Sequence, residues 1–171
     1  PLKDPLTNTP LSINMDVCET PESFWITSYG TGVVELSKEF VIKKIYAARE
    51  GIKNLGLYKI FSANDSTLLV TSNNGLIEIN SRSGFVKNYY TEDGLQSNSF
   101  EEASGDKKGN IIYVGGIKGI TKIDLAKLTS IPQVSRISFS TIELFSRNSI
   151  TDTLNVIIKK ILIQQDITQV S

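Results

Sequence analysis

Short runs of apolar residues alternate along most of the chain with polar clusters rich in Gly, Asn, Asp and Ser. Apolar and polar residues alternate in Leu76 to Ile79 and in Ile120 to Ile123, as expected of a strand with one buried face. The runs Leu68 to Val70 and Ile111-Ile112 are continuous, as in strands buried on both faces. Because residues of the polar clusters tolerate positive φ and form tight turns, the pattern predicts an all-β chain of short strands.

Composition supports the same fold class. The sequence contains 22 Ile, 10 Val and 14 Thr but only 5 Ala. Since β-branched side chains suit a pleated, half-buried surface better than a helix, these counts favour strands throughout.

An internal repeat organises the strands. Three segments share an apolar strand, a polar turn that ends in glycine, and a second apolar strand: WITSYGTGVVEL, LLVTSNNGLIEI and IYVGGIKGITKI. Their glycines, Gly32, Gly75 and Gly119, are 43 and 44 residues apart. A hairpin turn that ends in a left-handed residue selects glycine, so the equal spacing indicates three equivalent hairpins.

A second pair of segments keeps the same period. EGIKNLGLYKIF resembles DGLQSNSFEEAS, and Gly51 and Gly94 within them are again 43 residues apart. Further strands are predicted at Val41 to Tyr46 and Phe85 to Tyr90, so each unit has four strands. Four antiparallel strands that repeat at this period are typical of a β-propeller blade.

The repeat predicts the domain organisation. Three blades fit residues 12 to 128, and we assign residues 1–130 to the C-terminal blades of a β-propeller. The repeat ends after Leu128, Pro132 marks a boundary, and an alternating strand is predicted from Val134 to Phe145 in a second, truncated β domain over residues 131–171. A closed propeller needs more blades, so we expect the chain to be part of a longer protein and to associate in isolation through its open blade faces.

Charge and residue usage exclude several function classes. The 18 basic and 18 acidic residues balance, which argues against nucleic-acid binding, and no apolar stretch is long enough for a membrane helix. The absence of histidine excludes His-ligated metals, Ser/His/Asp and Cys/His nucleophiles, and a phospho-accepting histidine within these residues. Asp106 and Asn110 suggest a calcium loop, but the carboxylates are too few. We expect no metal, no cofactor and no catalytic residue here, and a buried, inert thiol at Cys18.

The stretch from Tyr90 to Asp124 is similar to the last propeller repeat in the periplasmic sensor region of hybrid two-component system regulators, with a motif of the form DGLxSNxF followed by YFGGxxG. The motif is matched by Asp93, Gly94, Leu95, Ser97, Asn98, Phe100, Tyr113, Gly115, Gly116 and Gly119. Pro132, Val134 and Ile142 to Phe145 fit the strand that opens the tyrosine-rich immunoglobulin-like domain of that family. Trp25-Ile26 matches an earlier repeat, although Thr27-Ser28 replaces its Gly-Thr.

The resemblance implies a partial β-propeller followed by the first strands of an immunoglobulin-like β-sandwich. It further implies a periplasmic sensor of glycan breakdown products that signals to a cytoplasmic histidine kinase and so controls transcription. The parent protein would be a homodimer in the inner membrane, anchored through a part downstream of this segment. An oligosaccharide is the expected ligand.

Ligand contacts are expected at one end of the blades. In propellers, the turn between the second and third strands and the connection to the next blade lie on one face, and amides, carboxylates and aromatic rings suit sugars. The candidates are Tyr29, Thr31, Asn73, Asn74, Tyr90, Glu92, Gln96, Asn98 and Lys118.

Simpler structural interpretations stand beside these candidates. Asn73-Asn74-Gly75 fits a hairpin turn of residues that tolerate positive φ. Trp25 lies inside a strand and is expected to pack between blades. Tyr89 and Tyr90 are adjacent, so their side chains point to opposite faces and at least one should be exposed.

Two other functions remain open. The chain could be a protein-interaction propeller without a small ligand, since fold does not decide function. It could also be a fragment of a propeller-fold polysaccharide-active enzyme. Glu101 and Glu102 alternate across a strand, however, and do not form the carboxylate pair of a glycosidase.

Overall fold

The computed structural model describes residues 2–3, 10–11 and 13–128. These residues form eleven strands in three antiparallel sheets, with two short 3₁₀ turns and no α-helix, which confirms the predicted all-β class. No helix in this part of the chain is long and apolar enough to cross a membrane. The strands are β1 (Asn14–Glu19), β2 (Phe24–Ser28), β3 (Gly32–Leu36) and β4 (Ile42–Tyr46) in sheet 1; β5 (Leu57–Ser62), β6 (Thr67–Ser72), β7 (Gly75–Asn80) and β8 (Val86–Tyr89) in sheet 2; and β9 (Phe100–Lys108), β10 (Ile111–Gly116) and β11 (Gly119–Asp124) in sheet 3.

Each sheet is a meander in which strands pair in chain order. The first strands β1, β5 and β9 are neighbours, β1 beside β5 and β5 beside β9, so they form the inner side of a fan of sheets. This arrangement is that of a partial β-propeller. Sheets 1 and 2 have the four predicted strands, and sheet 3 has three within the described residues. The predicted sandwich of residues 131–171, with its strand Val134 to Phe145, lies outside them.

The strand pairing corrects the alignment of the first repeat. Aligned without a gap, Trp25 stands opposite Leu68 of the second repeat. In the structure, the β2–β3 turn has three residues between Ser28 and Gly32, whereas the corresponding turns in sheets 2 and 3 have two. The extra residue shifts β2 by one position, so Trp25 is equivalent to Leu69 and then to Tyr113.

The interface between sheets 1 and 2 holds the largest hydrophobic cluster. We call the side of a sheet that faces the next sheet its forward face, and the opposite side its backward face. Trp25, Val33 and Tyr46 on the forward face of sheet 1 pack against aliphatic residues on the backward face of sheet 2, among them Val70 and Ile77. Trp25 is 1% exposed, which confirms that it packs between blades.

Sheets 2 and 3 meet in the same way. Leu69 and Leu76 on the forward face of sheet 2 pack with Ile112, Val114 and Ile123 on the backward face of sheet 3. Successive residues of a strand point to opposite faces, so the continuous apolar runs of the sequence serve two interfaces at once.

The repeated motif of an acidic residue, glycine and an aliphatic residue has a structural basis. Asp93 Oδ2 accepts the N–H of Tyr90 (2.9 Å) and closes a 3₁₀ turn, and Gly94 follows it in a left-handed conformation (φ +99°). Leu95 then packs against the cluster between sheets 2 and 3. Glu50, Gly51 and Ile52 repeat this arrangement between sheets 1 and 2, which explains why the motif recurs at the blade period.

The single cysteine gives a test of the sheet 1–sheet 2 interface. Cys18 is a free thiol that packs against this cluster, and its burial, followed by the charge of Asp16, raises its pKa to about 12 from 9.0. The folded chain holds the thiol proton more tightly than the unfolded chain does. The resulting stability is therefore complete below pH 9 and is lost as pH rises towards the folded pKa.

We expect Cys18→Ala to flatten the fall in the free energy of unfolding between pH 9 and 10, by up to about 1 kcal/mol per pH unit. Urea unfolding of both proteins at pH 7, 9 and 10 measures this difference. An unchanged slope would show that the Cys18 thiol has the same pKa in the folded and unfolded chains.

Candidate functional site

One end of the fan carries the turns between the second and third strands of all three sheets. The connection from β4 to β5 (connector 1, residues 47–56) and the connection from β8 to β9 (connector 2, residues 90–99) lie at the same end. We call it the turn end. The fold places these turns and connectors at the same end, because each of them joins two strands that run in opposite directions.

Backbone hydrogen bonds tie the connectors to the turns. The N–H of Asn73 donates to the carbonyl of Gly56 in connector 1 (3.0 Å), and the N–H of Gly75 donates to the carbonyl of Asn98 in connector 2 (2.5 Å). Each connector therefore lies against a hairpin turn, and the turn end is a continuous surface.

All nine candidates lie at this turn end. Their role in ligand binding stays a prediction. Tyr29, Asn73, Asn74, Glu92 and Lys118 are exposed, whereas Thr31, Tyr90, Gln96 and Asn98 are half-buried.

Two of these side chains accept hydrogen bonds from backbone N–H groups. Gln96 Oε1 accepts the N–H of Lys118 (3.1 Å), which links connector 2 to the turn of sheet 3. Asn98 Oδ1 accepts the N–H of Thr91 (2.7 Å) within connector 2. These two oxygens are engaged in the fold, whereas Gln96 Nε2 is buried and has no hydrogen-bond partner within the part of the chain that the structure describes.

The adjacent tyrosines differ from expectation. Tyr89 and Tyr90 are both half-buried, and neither is exposed. The Tyr89 hydroxyl donates to Glu78 Oε2 (2.5 Å), a buried carboxylate on β7, and the Tyr90 ring lies against Gly75. Tyr90 is the last residue before the 3₁₀ turn of connector 2, which folds its ring back over the hairpin.

The inner strands carry bulges near the turn end, all at one register position. In β5, Tyr58 and Lys59 lie opposite Thr71, between the pairs Leu57–Ser72 and Ile60–Val70. In β9, residues 101–104 lie opposite Gly115, so this bulge is much wider. Bulges re-aim side chains at strand edges and are frequent next to functional sites.

The residue at this register position of the second strand is threonine in sheets 1 and 2 and glycine in sheet 3. Thr27 Oγ1 donates to the carbonyl of Tyr58 (2.6 Å), and Thr71 Oγ1 accepts the N–H of Lys59 (3.0 Å). In sheet 3 the equivalent residue is Gly115, and the Ser104 side chain fills the space that a Cβ would need. A threonine at this position would therefore clash with Ser104, and glycine permits the wide bulge.

An open depression of about 550 Å³ lies beside the wide bulge. Glu101 and Glu102 both line it and are exposed. The prediction that they alternate across a strand is wrong, because the bulge at residues 101–104 interrupts the strand. Tyr58 from the neighbouring sheet forms part of the wall. Burial raises the pKa of Tyr58, and the nearby Tyr29 and Glu102 raise it further. The phenol therefore stays protonated at neutral pH and can donate a hydrogen bond. The lining consists of Tyr58, Ser99, Phe100, Glu101, Glu102, Ala103 and Ser104.

The depression is acidic. Lys59 follows Tyr58 in the chain, but its Nζ is paired with Asp16 Oδ2 at 3.0 Å. Asp16 Oδ2 also accepts the N–H of Ile60 (3.0 Å), so this ion pair is held against β5. The Lys59 charge is thereby paired with a carboxylate on β1, and Glu101 and Glu102 make the lining of the depression acidic.

Sequence reasoning missed this depression. Tyr58, Glu101, Glu102 and Ser104 lie in strands, and the candidates were sought in turns and connectors. The available signal was the change from threonine to glycine at Gly115, where the two other repeats have Thr27 and Thr71. It becomes visible only with the corrected strand register.

The fold has counterparts among solved structures. The chain matches the extracellular domain of the proposed hybrid two-component system BT4673 from B. thetaiotaomicron with a TM-score of 0.55 and 19% identity, over 65% of this chain and 16% of that chain. A second structure of the BT4673 extracellular domain, there described as a one-component system, matches with a TM-score of 0.52 and 16% identity, over 66% and 18% of the two chains. The extracellular domain of BT3049 from the same organism has a TM-score of 0.42.

No protein-family model and no curated protein matches the chain. The structural likeness shows the fold, and the chain spans less than a fifth of the two BT4673 structures. The described sheets thus agree in architecture with part of the extracellular domain of a sensor, the class of protein that the DGLxSNxF motif resembles.

Proposed function

We propose that this chain is an extracytoplasmic, periplasmic sensor segment that binds an oligosaccharide and transmits its presence to a histidine kinase that controls transcription. The observation that carries the proposal is the open polar depression at the inner strands of a fold shared with BT4673 extracellular domains. In this proposal the segment itself binds ligand and catalyses no reaction.

The lining suits a hydroxylated ligand. The exposed carboxylates of Glu101 and Glu102 are acceptors for sugar hydroxyl groups, and Tyr58 adds a protonated phenol that can donate. Tyr29 in the β2–β3 turn at the same end of the fan is 43% exposed, so its ring is available to cover an apolar sugar face.

Charge narrows the ligand class. The described residues that line the depression include two glutamates and no lysine or arginine, so the lining repels uronates and sulfated sugars, because like charges at short range are unfavourable. The depression therefore favours neutral oligosaccharides. Ligand binding there would bias the relative positions of β5 and β9, since Tyr58 and Glu101 belong to different sheets.

Binding of a neutral oligosaccharide panel to the whole chain, measured by isothermal titration calorimetry, tests the proposal. We expect the isosteric Glu101→Gln, Glu102→Gln double variant to bind at least about tenfold more weakly, because hydrogen bonds to charged acceptors are worth about 1.5–3 kcal/mol. Glu22→Gln is the matched control, since Glu22 is exposed in the β1–β2 turn at the other end of sheet 1.

If the double variant and the control bind the oligosaccharide equally well, the binding site does not lie in the depression. Tighter binding of sulfated than of neutral sugars would contradict the charge argument. If the chain binds no oligosaccharide although circular dichroism shows that it is folded, the alternative of a protein-interaction propeller without a small ligand is favoured.

A further inference from the structure

The bulge of β5 beside the depression is held by hydroxyl groups from two sheets. Tyr58 and Lys59 both lie opposite Thr71, so the peptide group between them has left the regular hydrogen-bond ladder. Thr71 Oγ1 accepts the N–H of this peptide group at Lys59 (3.0 Å), and Thr27 Oγ1 of sheet 1 donates to its carbonyl at Tyr58 (2.6 Å). A threonine hydroxyl therefore replaces each missing ladder partner, one from each sheet.

The position of Thr27 in sheet 1 makes this contact possible. Thr27 is two positions after Trp25 in β2, so it points to the same forward face, and it is 0% exposed. Its hydroxyl also lies 3.4 Å from the carbonyl of Asp16, its partner across β1 and β2, so the Tyr58 carbonyl is the closer acceptor. Asp16 Oδ2 accepts the N–H of Ile60 (3.0 Å), the residue after the bulge. This pair of residues in sheet 1 thus fixes the backbone of β5 through its bulge.

Thr27 acts on the depression without lining it. The described lining residues belong to β5, β9 and connector 2, and the one that Thr27 reaches is Tyr58. Only 8% of Tyr58 is exposed, so the direction of its backbone decides how much of the phenol faces the depression. A buried carbonyl without a partner costs about 1–3 kcal/mol, and a rotation of the peptide group towards another donor avoids this cost. Loss of the Thr27 hydroxyl therefore favours a different direction of the Tyr58 side chain.

We propose that Thr27 is a positioning residue of the oligosaccharide site: its hydroxyl, from the neighbouring sheet, fixes the peptide group after Tyr58 and thereby aims the phenol into the depression. This inference rests on the proposed function, because it concerns the same site. Sheets 2 and 3 supply the groups that contact the sugar, and sheet 1 holds one of these groups in place.

Replacement of Thr27 with valine removes the hydroxyl and keeps the shape of the side chain. We expect Thr27→Val to bind neutral oligosaccharides about two- to tenfold more weakly in isothermal titration calorimetry, the effect of one lost hydrogen bond between neutral groups. Thr27→Ser keeps the hydroxyl and should bind within about twofold of the wild type. Thr67→Val is the matched control, since Thr67 is also buried (4% exposed) but lies at the start of β6, at the opposite end of sheet 2.

Two further readouts separate positioning from a general loss of stability. In a Tyr58→Phe background, Thr27→Val should cause no further loss of affinity, because the phenol through which it acts is already gone. Without any ligand, a pH titration of the Tyr58 ring resonances by nuclear magnetic resonance, assigned with Tyr58→Phe, should give a lower Tyr58 pKa in Thr27→Val than in the wild type. Burial is the largest cause that raises this pKa above 10.0, and it weakens when the ring turns towards solvent. Tyr29, Glu102 and Glu101, which also raise this pKa, are unchanged in the variant.

Wild-type affinity in Thr27→Val, a full second loss in the Tyr58→Phe background, or an equal loss in Thr67→Val would overturn the positioning role. The same Tyr58 pKa in Thr27→Val and the wild type would also overturn it. If the wild-type chain binds no oligosaccharide, the proposed function fails, and the Tyr58 titration alone decides whether Thr27 positions the ring. The failure of this inference is therefore distinguishable from the failure of the proposed function.

Discussion

Replacement of Trp25 with alanine is expected to lower the free energy of unfolding by about 3–5 kcal/mol, the range for large aromatic side chains removed from a core. Trp25 is 1% exposed and joins sheets 1 and 2. Its ring lies 5.8 Å from that of Tyr46, and its Nε1–H donates to Thr20 Oγ1 (3.2 Å). The substitution therefore leaves a cavity and an unfilled acceptor in the same interface. Urea unfolding followed by far-ultraviolet circular dichroism measures the loss.

Tyr113→Ala is the matched control, since Tyr113 occupies the equivalent position on the forward face of sheet 3. It is 42% exposed, so we expect a loss of less than about 1 kcal/mol in dilute protein. Comparable losses for the two variants would mean that the forward face of sheet 3 is covered in the monomer. A loss below about 1 kcal/mol for Trp25→Ala would mean that sheets 1 and 2 do not form the cooperative core.

The strands could be predicted from the sequence because burial on one or two faces leaves a direct trace in the order of apolar residues. Leu68 to Val70 is continuous because β6 lies between two other sheets, with Val70 directed to sheet 1 and Leu69 to sheet 3. The period was visible because a positive φ at Gly75 restricts that position to glycine. Both are local constraints.

The register of Trp25 could not be predicted in the same way. The glycine marks the start of the third strand and not the end of the second, so a turn that is one residue longer shifts only the preceding strand. The shift also exchanges the two faces of that strand. Strand pairing was needed to show that Trp25 and Leu69 are equivalent.

The depression escaped prediction for a related reason. A bulge is a property of two paired strands, and the sequence around Glu101 resembles an ordinary strand start. Only the partner residue Gly115 reveals it. The turn-end candidates, by contrast, followed from residue types, but residue type did not show that Gln96 and Asn98 hold the backbone of connector 2 and the neighbouring turn.

Gly75→Ala is expected to lower the free energy of unfolding by at least about 3 kcal/mol. At a φ of +105°, an added Cβ would lie 2.6 Å from the carbonyl oxygen of Tyr89 and 3.0 Å from the Tyr90 ring. Gly119→Ala is the matched control, because its φ is +125° but no atom lies within 4 Å, which leaves a backbone cost of about 1–2 kcal/mol. Denaturant unfolding of both variants separates the two costs. Equal losses would show that the repeat requires glycine only for its positive φ. A larger loss at Gly75 would show that the end of the fourth strand, which lies against the turn glycine in sheets 1 and 2, also leaves no room for a side chain.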